Sequence, residues 1–366
     1  MALSRVLTFL KEETYNYLQS SEKKSVFRQC SEAYRLAQIY RFPPYQYFKH
    51  SLYLKSAKSD VSAFVPPVLL MRVRDGRNPA EARYRADDKA VFCRLMQEAG
   101  LPVARDLFFI HRDGRIESAA KERFSYEGII VALENSGVQN VFVKPVDGVN
   151  GLCTYRFEVG ASALIGPGGP VSADALHGLL FGLETPSAWH RFVVQPLIEQ
   201  HPVLYAIDPA SVATVRIDTL LEGALVHMNG AHLRLGTGRS VTANWRYGGL
   251  IVAIDPETGH LMGPARTKPK FAKELGGLEL DAHPVSGIRF DKVELPHWPI
   301  LLDVVKRAAH VMRPLGSIGW DVAIGRDGPI LIEANHDYDL FMQQDAARGY
   351  RSTVLGQLAV KQLSAS

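Results

Sequence analysis

Apolar residues recur at three- and four-residue intervals over positions 1 to about 60, at Leu3, Val6, Leu7 and Leu10 and again at Phe27, Tyr34, Leu36, Ile39 and Tyr40. That spacing predicts amphipathic helices. Pro43-Pro44 interrupts it, "YQYFKHSLYL" predicts another short helix, and Pro66-Pro67 with the Gly76–Pro79 region predicts a linker. In "DDKAVFCRLMQEAGLPVAR" a helix is expected, with Asp87 or Asp88 as its cap and Gly100 and Pro102 as its stop.

Beyond residue 105 the pattern changes to short alternating runs separated by turn residues. "RDLFFIHRDGRIE" predicts a hairpin turning at Asp113-Gly114, and "YEGIIVALENSG" a helix. "FVKPVDGVNGLCTYRF" predicts a second hairpin, "ADALHGLLFGL" a helix capped by Ser172, and "RFVVQPLIEQ" a strand. Long alternating strands follow between Val212 and Ile254, with turns at Glu222-Gly223 and near Gly236–Gly238. The stretch 256–297 is rich in Pro, Gly and charge and reads as a lid or insertion. "HWPILLDVVKRAAHVM" predicts a helix, and "SIGWDVAIGRDGPILIEANHDYDL" a strand, a tight turn and a strand.

Composition narrows the class. The 366 residues are 46% hydrophobic and 22% charged, an ordinary globular balance with room for two or three subdomains. A net charge of +4 gives no case for nucleic-acid binding. Cys30, Cys93 and Cys153 show no CxxC spacing, which argues against a disulfide scaffold or zinc site and for a reducing compartment. No apolar run approaches the ~20 residues of a membrane span, and the N-terminus does not read as a signal peptide. A cytoplasmic location is expected; oligomeric state leaves no trace.

Three constellations carry chemistry. In the last hairpin the Asp-Gly turn is centred near Asp327, so Asp321, six residues before it, faces Glu333, six after it. Their Cβ atoms should lie ~5 Å apart, with Asn335 on the same face of its strand. Two carboxylates and an amide oxygen converging there predict a hard divalent cation, and Mg²⁺ suits such ligands while keeping positions for phosphate. In the second hairpin, Lys144 ends an apolar strand, and Gly148 and Gly151 lie in the turn after Asp147. Lysine supplies a point charge for phosphate, and glycines let backbone N–H groups approach anionic oxygens. A glycine-bearing turn with an incidental lysine fits that stretch as well. Gln195, Pro196, Leu197, Ile198 and Glu199 form an extended segment that fits an adenine edge and a ribose hydroxyl, or an ordinary strand exit.

In order, "DKAVFCRLMQEAGLPVAR", "FVKPVDGVNG", "VVQPLIEQHP", "SVATVRIDTL", "RLGTGRSVTANWRYGGLIVAID" and "GWDVAI…GPILIEANHD" resemble the ATP-grasp superfamily, closest to its sugar-transfer-associated branch. The resemblance implies an α+β ATP-grasp fold, two subdomains clamping ATP, with an N-terminal helical region. The corresponding divisions are 1–80 for the helical region and linker, 81–140 for the N-terminal lobe, 141–205 for the flap subdomain and 206–366 for the C-terminal subdomain. By resemblance, Lys89 and Lys144 hold the nucleotide phosphates, the loop Asp147 to Gly151 covers them, and Gln195 to Glu199 form the adenine and ribose hinge. Asp321, Glu333 and Asn335 match the ligands of one or two Mg²⁺ ions. Arg216 matches an arginine that meets phosphate and the reacting carboxylate, while Arg234, Asn244, Arg246, Gly248 and Gly249 fall on the acceptor loop. His336, beside Asn335, is a further candidate on the substrate side. Some peptide-forming relatives carry an arginine just before the metal aspartate; Gly319 and Trp320 stand there in this chain, which leaves Arg216 or Arg234 to neutralise an acyl phosphate.

The expected activity is an ATP-dependent carboxylate–amine ligase acting through an acyl phosphate on small-molecule acids and amines, amino-acid or sugar derived. Phosphoryl transfer to a sugar or alcohol, and nucleotide binding without turnover, are the alternatives.

Overall fold

The computed structural model describes residues 14, 17, 18, 22–55, 60–148, 152–238, 243–346 and 349–364. Among these the strands form two antiparallel sheets. The first runs Arg123–Phe124, Ile116–Ser118, Phe108–His111, Arg191–Pro196, Asn140–Pro145, Tyr155–Val159, Leu164–Gly166, Gly169–Val171 in spatial order. Alternation along Asn140–Pro145 sends Val141 and Val143 to one face, where Ile129, Ile130 and Leu133 of the helix Tyr126–Asn135 and Leu176 and Leu180 of the helix Ala173–Phe181 cover them. Lys144 therefore faces the opposite side, in register with Val193 and Phe109.

The second sheet runs Glu279–Leu280, Leu261–Arg266, Leu250–Ile254, Leu225–Leu235, Thr214–Glu222, Ser317–Ile324, Pro329–Asn335. Its apolar face carries Val215, Ile217, Leu233, Val252, Trp320 and Val322 and packs on the helices Lys89–Glu98 and Trp298–Val311. Its other face is polar: Arg216, Asp218, His232, Arg234, Asp321 and Glu333 alternate with those core residues. The sequence pattern is thus obeyed on one face and broken on the other, as expected where a sheet lines a site.

Two sequence expectations are corrected here. The stretch 256–297 is not a lid, because Leu261–Arg266 and Glu279–Leu280 extend the second sheet and Ala265, Phe290, Val293 and Leu295 lie in its core. The Pro66-Pro67 region is not a linker either. Pro67 occupies the first turn of the helix Pro67–Gly76, where its missing N–H costs nothing, and that helix packs against Val354–Ser364 through Leu69, Leu70, Val73 and Leu355.

The helices Val26–Tyr40 and Pro44–Lys49 build their own small core around Leu36, Tyr40, Phe42 and Tyr47. This N-terminal region grips the helix Leu340–Ala346: His50 Nδ1 meets Asp345 at 2.5 Å and its ring stacks on Phe341. The buried Gln344 side chain pairs with both Val65 backbone groups, at 2.6 and 2.9 Å.

Candidate active site

The polar faces of the two sheets meet at a cluster of lysines and carboxylates. Lys89 is presented by the helix start. The Asp88 carboxylate caps that helix, accepting from the Ala90 and Val91 N–H groups at 2.9 and 3.1 Å and from Arg191 at 2.7 Å. Lys89 Nζ then donates to the carbonyls of Val146 (3.2 Å) and Gly148 (2.6 Å) and stands 3.9 Å from Glu333 Oε2. Lys144, 7% exposed, reaches the same place from the first sheet. Burial pushes its ammonium below the usual lysine range, and the Glu333 carboxylate opposes that shift.

Asp106 belongs to this cluster and carried no motif in the sequence. Burial raises its carboxyl above the ordinary range, against the Gln195 amide that donates to it at 2.7 Å and the charge of Lys144. Its only clue was an acidic residue immediately before an apolar strand.

On the second sheet, Glu333, Asp321, Arg216 and His232 lie in one cross-strand row. Arg216 grips both Asp321 oxygens, Nε to Oδ1 at 2.5 Å and Nη2 to Oδ2 at 2.7 Å, while Arg234 Nη1 stands at 3.3 and 3.4 Å. Burial would raise the Asp321 pKa, but the two guanidinium groups hold it well below the usual carboxylate range. Arg234 is pushed down to about 10 by burial and by Arg216. The expected Asp321–Glu333 pairing is present, but a β-bulge produces it. The turn is closed by Gly325 donating to Gly328 at 2.8 Å, and Val322 pairs with Leu331. Continuing that register would oppose Asp321 with Ile332. The extra residue advances the strand by one, so that Glu333 and Asn335 turn to the polar face.

The other expected residues fall as follows. Asp147 is exposed and Gly148 half-buried; Gly151 lies outside the described residues. Gln195 turns inward to Asp106, with Pro196, Leu197 and Ile198 half-buried after it. The Leu197 N–H donates to Asn140, and the Glu199 carbonyl accepts from Arg326. The Glu199 side chain is 82% exposed, 3.9 Å from Arg326. Asn244 starts a tight turn, its carbonyl accepting from Tyr247 and Gly249, and Gly248 takes a φ of 99° that only glycine adopts readily. Arg246 lies within that turn, and its side chain is outside the described set. His336 points away from Asn335, to Asp87 at 3.1 Å.

The donor chemistry fits a magnesium ion. Asp321 and Glu333 are cross-strand neighbours, and Asn335 Nδ2 donates to Glu333 Oε1 and to the Gly319 carbonyl, each at 3.4 Å, so a turn of the amide would bring its oxygen to an ion. Each Asp321 oxygen meets one N–H of Arg216 and, at 3.3–3.4 Å, Arg234 Nη1, so an ion would take the place of the longer Arg234 contacts. Among the described residues no cluster of three or more His, Cys, Asp or Glu side chains is placed to hold a metal, so any ion here takes the amide as its third protein ligand.

Two antiparallel sheets facing each other across a cationic and acidic cleft, with helices on their outer faces, define an ATP-grasp fold. The model of the sugar-transfer associated ATP-grasp family matches residues 72–354, and the chain belongs to that family. No curated protein matches the sequence. Among solved structures, the ATP-grasp ligase PsnB, complexed with a precursor variant, Mg and ADP, aligns at 16% identity with a TM-score of 0.41, over 78% of this chain and 62% of that one. The present chain thus spans about three fifths of PsnB. Biotin carboxylase from Campylobacter jejuni aligns at 11% identity and a TM-score of 0.45, covering 76% and 46%. D-alanyl-alanine synthetase A from Vibrio cholerae aligns at 10% and 0.42, covering 78% and 67%. Among the described residues no helix is long and apolar enough to cross a membrane.

Proposed function

We propose that the chain is an ATP- and Mg²⁺-dependent carboxylate–amine ligase for small acids and amines, working in the cytoplasm. The observation that carries this reading is the meeting of Lys89 and Lys144 with Glu333, Asp321 and Asn335 across the cleft. A triphosphate needs cations on its oxygens and a metal held opposite, and this cluster supplies both.

Lys89 and Lys144 bind the β- and γ-phosphates, and Lys144, desolvated and fixed at a strand end, loses little freedom in doing so. Asp106 holds the Gln195 side chain against the first sheet, which sets the path of the hinge Gln195–Glu199 around the adenine. Asp147 and the glycine turn after it cover the phosphates and keep water from the reactive acyl group. Mg²⁺ held by Asp321, Glu333 and the Asn335 amide oxygen would supply charge neutralisation at the transferring phosphoryl group. Arg216 and Arg234 fix Asp321 and offer their remaining N–H groups to the acid. The carboxylate attacks the γ-phosphorus, ADP leaves, and an amine displaces phosphate from the acyl carbon.

Hydroxylamine with ATP and pools of acids tests this directly. A hydroxamate with release of ADP is expected, abolished by Glu333→Gln in a variant that melts like the wild type. A phosphorylated alcohol in place of a hydroxamate, or undiminished turnover by Glu333→Gln, would overturn the reading.

A further inference from the structure

Away from the cleft, the helices Pro67–Gly76 and Val354–Ser364 border an open groove of about 340 Å³. That is the size of the smaller small-molecule sites. Val73 and Leu358 form its floor, and Arg72, Arg77, Lys361 and Gln362 its rim. Gly76 makes the room: it ends its helix without a side chain, and a Cβ there would meet nothing within 4 Å. Arg77 Nη2 donates to Glu222 at 3.1 Å, and Glu222 ends the strand Thr214–Glu222, six residues beyond Arg216. At ~3.3 Å per residue the groove therefore stands roughly 20 Å from the Arg216–Asp321 pair, outside the nucleotide cleft.

Its charge is lopsided. Arg72 and Lys361 are exposed, and among the described residues neither has a carboxylate partner. Glu222 takes one of the five N–H donors of Arg77. Asp75, on the same helix, is already held by Arg74 at 2.7 Å. Three cations and one carboxylate leave an excess of two positive charges above an aliphatic floor that water covers poorly. A neutral apolar ligand would leave the cations unused, and a bare inorganic anion would leave the floor wet. An anion with an aliphatic body answers both. Guanidinium forks match phosphate oxygens in pairs, and a lysine adds a point charge. A phosphate monoester carries nearly two negative charges at neutral pH, which equals the excess on the rim.

We propose that this groove is a binding site for a phosphate monoester with a short aliphatic body. Its head lies among Arg72, Arg77 and Lys361, and its chain covers Val73 and Leu358 beside Gly76. The assignment stands apart from the ligase reading, because none of these residues takes part in the ATP chemistry.

Hexyl phosphate is titrated into the full-length protein in a calorimeter, with hexanol, which lacks the charge, and inorganic phosphate, which lacks the chain, as controls. Hexyl phosphate should bind more tightly than either. Replacing Arg72→Gln and Lys361→Gln together should weaken it about tenfold. Gly76→Trp places an indole in the groove where the fold leaves space and should abolish binding. Gly76→Leu fills the same space should Gly76→Trp not fold. Equal affinity for hexyl phosphate and inorganic phosphate, or binding undiminished in the folded variants, would overturn the site. Binding that survives these variants but is displaced by ATP would place the ester in the cleft and overturn it as well. The same head group occurs in membranes. Sedimentation with phosphatidylcholine vesicles carrying phosphatidic acid, lost in Gly76→Trp, would support the site with a lipid as its source; hexyl phosphate bound without sedimentation would support it with a free ester.

Discussion

Asp218→Asn should stabilise the folded chain, and increasingly so as pH rises. Asparagine keeps an oxygen for Tyr350 and Gln343, gives up the hydrogen bond with the Asn229 side chain, and removes a buried charge. In the unfolded chain the aspartate loses its proton near 3.8; in the fold it keeps it up to about 7. Between those values unfolding releases a proton, so this group removes stability as pH rises, at about 1.4 kcal/mol per unit. The loss is absent below pH ~3.8 and complete above ~7, at about 4 kcal/mol in total. Asparagine carries no such loss. Urea unfolding of both proteins at pH 5 and pH 8 should therefore show the gap in stability widening by about 3 kcal/mol in favour of Asp218→Asn. Parallel shifts of the two proteins with pH, or a gap that narrows, would refute the account of Asp218 as a carboxyl that burial keeps protonated up to about 7.

Other outcomes follow from single contacts. Asp88→Ala removes the cap of the helix that begins at Lys89 together with the Arg191 partner, and should lower stability by about 1 kcal/mol and weaken ATP binding in a calorimetric titration. Gly230→Ala would bring a Cβ within 2.6 Å of the Tyr350 hydroxyl, separating Tyr350 from Asp218. Stability in urea should fall with little change in the affinity for ATP. Gln344→Ala leaves the Val65 N–H and carbonyl unpaired in the interior, and should cost about 2–4 kcal/mol and raise hydrogen exchange in the helix Leu340–Ala346.

Much of the fold was legible because its elements are amphipathic and punctuated. Ser172 and Asp88 cap their helices as expected, and Asp113-Gly114 and Glu222-Gly223 turn their hairpins. Failures came where local signals compete with tertiary ones. Residues 256–297 look loop-like because edge strands are short and polar on one side, yet Phe290 and Leu295 bind them to the core. Pro66-Pro67 looks like a break, though proline at a helix start is compatible with the helix that follows. Asp106, His232 and Gln343 stayed hidden for a different reason: each gains its meaning from partners distant in sequence, Asp106 from Gln195 and Lys144, Gln343 from Asp218.

The bulge at Ile332 joins these lessons. Period-two alternation from Leu331, a core residue, assigns Glu333 to the core face as well. A buried carboxylate there would have no partner among Val322, Trp320 and Leu301. Counting outward from Asp327 reaches the observed pairing only because that centre lies half a residue beyond the true one, midway between Ile324 and Pro329, and the bulge supplies the other half. The chain therefore spends one unpaired strand residue to rotate Glu333 and Asn335 into the cleft while Leu331 and Ala334 stay in the core. Deleting Ile332 tests this phase relation, since it removes the extra residue and leaves Glu333 opposite Asp321, Ala334 opposite Trp320 and Asn335 opposite Gly319 in a regular ladder. The variant should keep Glu333 and Asn335 on the cleft side and retain ATP binding. Loss of ATP binding in a variant that still folds would mean that the side taken by Glu333 and Asn335 is not what the bulge is for.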